Sequence, residues 1–420
     1  MASLPSRAAV RQALTAPVQR VLSAWHEIRD ERRIAWLLGL AERCDFTDED
    51  LDVNRAHLAK AAAIDAPVRT VRWYVPAFEH AFYGGIHTIL RFASGWRARH
   101  GVESSFVVHD APTASAPDLR ARIAAAFPDL AGCDVTVVGD AAAAATMRAL
   151  PQADAGIATL WTGAYLLLRD RSVARKLYFL QDDERLFYPA GTQSALAGAT
   201  WRFGFPAIVN TPGLREIYAR ESGSPTIAFV PAVDAAVFHP PTSPRRERPF
   251  RVFFYARPNA DRNAFELGLA ALARLRRDRG DAVEIVAAGS GVPKAIARRF
   301  PGITFHGLVP YASTGELYRS CHAGLALMMT RHPSYVPFEL MACGAVPVVN
   351  VNRDNAWLLR HEANALVCEP TVSALAAGLA RLVDQPRFRE ALADEGVRTV
   401  AERGWDDQVD AAAAFLRRPR

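Results

Sequence analysis

The chain has 420 residues, of which 50% are hydrophobic and 22% are charged, a globular composition that excludes an intrinsically disordered protein. This length exceeds one ordinary hydrophobic core and predicts two domains. Fifty basic residues against 44 acidic ones leave a net charge of +6, an excess too small to indicate nucleic acid as a partner.

The cysteines and the apolar runs indicate the compartment. Five cysteines lie far apart in apolar surroundings, without the paired spacing of zinc sites or disulfide frameworks. We therefore expect buried thiols in a reducing environment. The sequence has no run of 18 apolar residues, and its N-terminus lacks a signal-peptide pattern. These features predict a cytoplasmic protein.

Residues 1–66 are expected to form a helical extension before the main fold. Apolar residues recur at helical spacing, from Val18 through Trp25 and Ile28 to Leu40. Arginines lie among them, at Arg11, Arg20, Arg29, Arg32 and Arg33. Two interpretations stay open: ordinary packed helices, or peripheral contact with the inner face of the cell membrane.

From residue 67 to 235, short apolar runs alternate with helical stretches, which predicts parallel strands and a first Rossmann-like domain. The expected strands are Val71–Val75, Ser105–Val108, Val135–Val138, Gly156–Trp161, Leu177–Leu180 and Ala207–Asn210.

Residues 236–249 are rich in proline and arginine and are predicted to link the two domains. The alternation then restarts over 250–400, which predicts a second Rossmann-like domain, and residues 401–420 are expected to form a separate helix. The second set of strands is Arg251–Tyr255, Val283–Ala287, Ile303–Phe305, Gly324–Met328, Val346–Val349 and Ala365–Val367. Two such domains place ligands in the cleft at the carboxyl ends of their strands.

Two arginines follow the first strand of the second domain. Arg257 stands at the strand end and Arg262 near the start of the next helix. Two guanidinium groups there suit a diphosphate, whose departure as a leaving group they would stabilise. A surface salt bridge is the alternative.

Three further segments contain binding candidates. Glu339 lies in the first turn of a helix that follows a strand and a loop, where a carboxylate accepts hydrogen bonds from ribose hydroxyls or only complements the helix dipole. Ser334 and Tyr335 in the preceding loop can offer donors to phosphate. Gly84 and Gly85 open a helix, either as a phosphate loop or as a plain turn.

Three carboxylates, Asp182, Asp183 and Glu184, follow a predicted strand. They favour an acceptor-binding or structural role over a metal site, because the arginines already supply positive charge to the phosphates. We therefore expect no metal, and Asp182 is the candidate that orients the acceptor hydroxyl or the cationic sugar. His87 is a second candidate for proton transfer, although a structural role is the alternative.

Three motifs of the second domain resemble the C-terminal domain of family 4 retaining glycosyltransferases. They are the spacing of Arg257 and Arg262, His306-Gly307 after a strand, and the Glu-x-Met-Ala-x-Gly segment that begins at Glu339. This resemblance implies the GT-B fold, two Rossmann-like domains facing a cleft. It also implies that Arg257 and Arg262 bind the diphosphate, that Gly84 and Gly85 lie at the donor's phosphates or sugar, and that His306 and Gly307 contact the base.

One position departs from that family. Its members usually have a second glutamate eight residues before the one that matches Glu339, where it contacts the donor sugar, and this chain has Arg331 there. Ser334, Tyr335 and Arg331 are the candidates to replace that contact.

The acidic segment 178–191 with the later Arg202-Phe203-Gly204 is similar to WsaF-type rhamnosyltransferases and related rhamnan-synthesis proteins. This resemblance implies dTDP-β-L-rhamnose as the donor substrate, a cell-surface polysaccharide or glycan as the acceptor, and no cofactor.

Alternative functions use the same fold. They are a glycosyltransferase with a UDP- or GDP-sugar, a non-catalytic nucleotide-sugar-binding scaffold, and a sugar-nucleotide epimerase that needs no acceptor. A pyridoxal-phosphate phosphorylase would need a Schiff-base lysine, and Lys294 has no supporting motif.

Overall fold

The computed structural model describes residues 27–82, 84–110, 114–139, 143–401 and 403–418. Within these ranges, the chain forms two parallel β-sheets with helices on their faces, as the alternation of strands and helices predicts.

The first sheet has seven strands in the order β3-β2-β1-β4-β5-β6-β7. Their bounds are β1 Thr70–Pro76, β2 Glu103–His109, β3 Asp134–Val137, β4 Ala153–Ala158, β5 Val173–Leu180, β6 Ala207–Asn210 and β7 Thr226–Phe229. The helices of this half are α1 over 27–43, α2 Asp48–Ala62, α3 Gly84–His100, α4 Ala116–Ala126, α5 Ala143–Arg148, α6 Trp161–Arg169, α7 Thr192–Ala199 and α8 Pro212–Ser222.

The second sheet has six strands in the order β10-β9-β8-β11-β12-β13. Their bounds are β8 Phe250–Tyr255, β9 Val283–Ala288, β10 Ile303–Phe305, β11 Ala323–Leu325, β12 Val346–Asn350 and β13 Leu366–Cys368. The helices are α9 Phe265–Arg279, α10 Lys294–Arg299, α11 Tyr311–Arg319, α12 Val336–Ala342, α13 Val372–Asp384, α14 Pro386–Ala401 and α15 Trp405–Arg417.

Both sheets are built from continuous apolar strands because helices cover their two faces. The last four residues of β5 and all five of β12 are buried. A polar residue at a strand end therefore stands at the edge of the core, beside the cleft between the domains.

Two predicted strands differ from the structure. The strand expected to run to Trp161 ends at Ala158, since Trp161 already begins α6. The strand expected to run to Met328 ends at Leu325. The side chain of Asn350 replaces a strand partner there, because it accepts from the Met328 N–H at 2.8 Å and donates to the Met328 carbonyl at 3.0 Å. Strand β7 was not predicted.

The helical extension is anchored to the first domain by buried polar contacts. In α2, the Asn54 side chain donates to the Phe203 carbonyl at 2.7 Å and accepts from the Lys176 ammonium at 3.3 Å. Burial lowers the pKa of Lys176 to about 7. Thr47 and Asp50 form a capping box that begins α2. The predicted apolar positions up to Trp25 lie outside the described residues.

Helix α1 presents large apolar side chains to solvent. Ile28, Ile34, Trp36 and Leu38 are 49%, 52%, 51% and 61% exposed, whereas Leu40 is buried. Leu37 packs against the core of the first domain, so the packed helix and the membrane contact both stay predictions. Among the residues that the structure describes, no helix is long and apolar enough to cross a membrane.

The C-terminal helix α15 packs on the first domain, not on the second sheet that precedes it. The Trp96 indole of α3 donates to the Val409 carbonyl at 3.0 Å, and the Arg99 guanidinium pairs with Asp406 and Asp410. The chain therefore crosses back over the cleft before it ends. The five cysteines, Cys44, Cys133, Cys321, Cys343 and Cys368, are free and buried, as predicted.

Candidate active site

A cavity of about 780 Å³ lies between the two domains, at the carboxyl ends of both sheets. It occupies the place that two facing parallel sheets predict for a ligand. The residues of its wall that matter below are Gly84, Gly85, Gln181, Asp182, Asn210, Arg257, Arg262, Gly289, His332, Ser334, Tyr335 and Glu339.

Arg257 and Arg262 both line this cavity, as the sequence predicts. Arg262 lies in a short 3₁₀ turn over Asp261–Asn263, before α9 and not within it. Its guanidinium lies 4.4 Å from the centre of the Phe187 ring, and that of Arg257 is 3.2 Å from the Tyr255 hydroxyl.

The two guanidinium groups are not neutralised. Burial, and then the nearby charge of Arg257, lower the pKa of Arg262. Neither arginine forms an ion pair with a carboxylate within 4.0 Å among the described residues. Two cations that repel each other in a partly buried cavity are stabilised by an anionic ligand, and a diphosphate supplies both charge and acceptor oxygens.

Glycine backbone forms two parts of the wall. Gly84 begins α3 with a φ of +54°, and the Gln181 amide donates to the Gly85 carbonyl at 3.1 Å. Opposite them, Gly289 follows β9, and a Cβ there would lie 1.9 Å from the Ala256 carbonyl oxygen. Only glycine fits at Gly289. The sequence analysis does not predict Gly289 as part of the site. The signal that could have found it is Gly289-Ser290-Gly291 directly after a strand.

His306 and Gly307, the predicted base contacts, are exposed and do not line the cavity. Their backbone supports the wall instead: the His306 N–H donates to Ala287 and the Gly307 carbonyl accepts from Gly289. The cavity wall continues at the following residue, Leu308. Their predicted contact with the base stays a prediction.

Glu339 lies in the first turn of α12 and lines the cavity, as predicted. Burial raises the pKa of its carboxyl group to about 8, against the effect of a hydrogen bond from the Tyr318 hydroxyl. A carboxyl group held close to neutrality at a cavity wall is suited to exchange hydrogen bonds with ligand hydroxyls.

Ser334 and Tyr335 also line the cavity, but Tyr335 connects the domains. The Tyr335 hydroxyl is hydrogen-bonded to Thr88 at 2.8 Å and to the Asn210 amide at 3.2 Å, and both of these residues belong to the first domain. Trp405 of α15 stacks on the Tyr335 ring at 6.3 Å. Sequence spacing gave no signal for Thr88, Asn210 or Trp405, because the three lie on different elements.

Asp182 is buried at the end of β5 and accepts three hydrogen bonds. Its donors are the backbone N–H groups of Asp183 at 2.8 Å and His332 at 3.1 Å, and the Thr330 hydroxyl. Thr330 and His332 belong to the second domain. Burial raises the pKa of Asp182 to about 7 despite these donors and the nearby Arg262. Asp182 lines the cavity and also fastens the two domains together.

The other two carboxylates are engaged by protein groups. Asp183 forms ion pairs with Arg185 at 2.7 Å and with Arg331 at 3.2 Å. Glu184 accepts from the Trp161 N–H and the Tyr178 hydroxyl, each at 2.7 Å, and burial raises its pKa to about 8. Within the described part of the chain, no three His, Cys, Asp or Glu side chains form a group that could hold a metal ion.

Arg331, one of the three candidates to replace the missing glutamate, is held by carboxylates of both domains. Its guanidinium pairs with Asp183 and, at 2.6 Å, with Asp354. It lines a second cavity of about 300 Å³, outside the wall of the main one. These two carboxylates hold Arg331 at the second cavity, and its contact with the donor sugar stays a prediction.

Two minor candidates are also located. His87 lines the cavity with its ring 4.8 Å from that of Tyr311 and 5.1 Å from that of Phe127. Burial, and then Arg91, lower the pKa of His87 to about 4, so the imidazole is neutral at neutral pH and has no proton to give as an acid. Lys294 is exposed at the start of α10, outside the cavity wall.

Sequence comparisons find one family model and one curated relative that are similar to this chain. Residues 250–380 match the family model "WsaF, C-terminal domain". The chain is 44% identical over 391 residues to the O-antigen biosynthesis protein RfbC of Myxococcus xanthus, which covers 91% of this chain. The match spans 30% of the length of that relative.

Solved structures of glycosyltransferases share the architecture. HepE of Anabaena, solved with UDP-glucose, and sucrose-phosphate synthase of Thermosynechococcus elongatus each have a TM-score of 0.63 at 14% identity, over 82% of this chain and 98% of theirs. The fold is GT-B. The pneumococcal O-GlcNAc transferase GtfA, solved with UDP and GlcNAc, has a TM-score of 0.63 at 10% identity, over 83% of this chain and 98% of its own.

The buried Asp182 predicts a pH-dependent stability. Between its ordinary pKa of 3.8 and about 7, the folded chain holds a proton that the unfolded chain has lost, so stability falls as the pH rises through this window. Asp182→Asn keeps an acceptor for both N–H groups and removes the charge. Between about pH 5 and about pH 8, we expect the free energy of unfolding of the wild type to fall by on the order of a few kcal/mol relative to that of the variant.

Unfolding by urea at both pH values measures this difference. The comparison with Asp182→Asn isolates one carboxyl group, since Glu184 and Glu339 are present in both proteins. If the difference in unfolding free energy between the two proteins does not change with pH, Asp182 is ionised in the folded protein at both pH values, which would contradict the prediction.

Proposed function

We propose that this chain is a metal-independent, retaining glycosyltransferase that transfers L-rhamnose from dTDP-β-L-rhamnose to a polysaccharide or glycan acceptor. The observation that carries the proposal is the pair of unneutralised guanidinium groups of Arg257 and Arg262 in the interdomain cavity. The similarity to an O-antigen biosynthesis protein and to the WsaF C-terminal domain supports a sugar-polymer acceptor.

The proposed mechanism depends on charge stabilisation of the leaving group. As the bond from the anomeric carbon to the phosphate oxygen breaks, negative charge grows on the diphosphate beside Arg257 and Arg262. Donors already fixed there stabilise this charge without reorganisation. The N–H groups at the start of α3, near Gly84 and Gly85, add hydrogen bonds to the diphosphate. The acceptor oxygen bonds to the anomeric carbon on the face that the diphosphate leaves, and the proton of the acceptor hydroxyl passes to the departing diphosphate.

Asp182 is already hydrogen-bonded within the protein, which limits its contacts with a ligand. Three protein donors occupy its oxygens, so its main effect is to hold Thr330 and His332 against the first domain. It still lines the cavity. In the proposed mechanism, its negative charge stabilises the sugar as it becomes cationic.

Glu339 is the proposed ligand of the nucleoside sugar ring. The Tyr318 hydroxyl already hydrogen-bonds to its carboxyl group. The deoxyribose of dTDP has a single 3′-hydroxyl, which can donate a hydrogen bond to the second carboxyl oxygen of Glu339. The ribose of UDP or GDP has two hydroxyls. This difference supports dTDP as the nucleotide.

Calorimetric titration with dTDP, UDP and GDP, each with magnesium and with EDTA, tests the proposal. We expect dTDP to bind most tightly and its affinity to be the same in EDTA, because the arginines supply the positive charge. A preference for UDP or GDP would overturn the donor, and loss of binding in EDTA would overturn metal independence. Absence of binding by all three nucleotides would overturn the proposed glycosyltransferase activity.

Removal of either guanidinium should slow the reaction with the fold intact. We expect Arg257→Ala and Arg262→Ala to lower the rate of dTDP release from dTDP-rhamnose about 30- to 1,000-fold, roughly 2–4 kcal/mol of transition-state stabilisation. Arg262→Lys keeps the charge and is the matched control, for which we expect a smaller loss. Unchanged rates in both alanine variants, with unchanged thermal unfolding, would contradict the assignment.

We also propose that α1 contacts the cytoplasmic face of the membrane. The exposed Ile34 and Leu38 lie on a helix that also exposes Arg32 and Arg33, and apolar side chains next to arginines suit an anionic lipid surface.

Sedimentation with phosphatidylglycerol vesicles tests this contact. We expect the Ile34→Asp, Leu38→Asp double variant to lose at least about tenfold in partitioning, because two apolar side chains no longer insert. Val53→Asp, at an exposed position of α2, is the control and should bind like the wild type. Equal binding of all three proteins would contradict the membrane contact.

A further inference from the structure

Two buried polar atoms of the main cavity wall have no hydrogen-bond partner among the described residues. They are Nε2 of His332 and Oδ1 of Asn210. The side chains are 7% and 0% exposed, and both residues line the cavity. A buried polar group without a partner destabilises the folded protein, so such atoms beside a cavity indicate a ligand that completes them.

The backbone determines the tautomer of His332. The Ser334 N–H donates to Nδ1 of His332 at 2.9 Å, so Nδ1 carries no proton and Nε2 carries one. Burial, and then the charge of Arg262, lower the pKa of His332 to about 3, which keeps the ring neutral. Nε2–H is therefore a neutral hydrogen-bond donor in a fixed ring.

Asn210 supplies the complementary group. It ends β6 in the first domain, and its Nδ2 donates to the Tyr335 hydroxyl at 3.2 Å, which leaves Oδ1 as an unused acceptor. Rotating the amide by half a turn exchanges the two atoms but still leaves one of them without a partner. The His332 ring lies 5.6 Å from the ring of the same Tyr335, on the side of the second domain.

The neutral donor of His332 and the neutral acceptor of Asn210 both lie beside Tyr335. Such a pair suits hydroxyl groups, because a hydroxyl both donates and accepts hydrogen bonds. A phosphate would find no positive charge on either group. The influence of Arg262 on His332 places the imidazole near the proposed diphosphate site. In a nucleotide sugar, the transferred sugar ring is bonded directly to the diphosphate, so a group near the diphosphate site is also near the sugar.

We propose that His332 and Asn210 hydrogen-bond hydroxyl groups of the transferred sugar and thereby determine which donor sugar is accepted. This inference rests on the proposed function. Because the two residues come from different domains, the bound sugar connects both sides of the cleft.

Binding of dTDP and of dTDP-rhamnose, measured by calorimetry, tests the inference. His332→Asn retains an oxygen that can accept from the Ser334 N–H and removes the Nε2–H donor. We expect His332→Asn and Asn210→Ala each to weaken dTDP-rhamnose binding about tenfold and dTDP binding less than about twofold, since one hydrogen bond to the sugar is lost. His332→Gln, which restores an amide N–H near the Nε2 position, should recover part of the loss.

His57→Ala is the matched control, because His57 also has an unpartnered Nε2 but lies on α2, outside the cavity wall. Its affinities should equal those of the wild type. Equal losses for dTDP and dTDP-rhamnose in His332→Asn, or no loss for either ligand, would overturn the sugar contact while leaving the proposed function standing. A wild type that binds neither ligand would refute the proposed function and this inference with it.

Discussion

The contact between the end of β5 and loop 330–335 connects the two domains, and the shape of the cavity depends on it. Asp182 accepts hydrogen bonds from Thr330 and His332 of that loop, and Asp183 pairs with Arg331. Adjacent buried carboxylates are costly unless donors surround them, and here three of the donor residues belong to the other domain. The same contact holds His332, Ser334 and Tyr335 against the cavity.

Charge is distributed unevenly around the cavity. Arg257 and Arg262 stand on the wall formed by the second sheet without carboxylate partners, while Asp182 and Glu339 have their pKa values raised by burial. A nearly neutral acid does not cancel the nearby cations. The guanidinium groups of Arg257 and Arg262 are therefore available to an anionic ligand.

The replacement of a glutamate by Arg331 shows how far a single position can be interpreted from sequence. The substitution was visible in the sequence, and it predicted that the family's usual sugar contact is absent. Its consequence was not visible, because the ion pairs with Asp183 and Asp354 depend on three segments that meet only in the fold. The unpartnered atoms of His332 and Asn210 were hidden for the same reason.

The sequence by itself determined the two parallel sheets, the position of Arg257, Arg262, Gly84, Gly85 and Glu339 at strand ends and helix starts, and the likeness to glycosyltransferases. These features follow from local periodicity and from short spacings, which a linear sequence contains. Only the tertiary structure decided that Asp182 fastens the domains, that α15 returns to the first domain and that Tyr335 meets Thr88 and Asn210. Such contacts join residues more than 100 positions apart, and they depend on how two finished domains face each other.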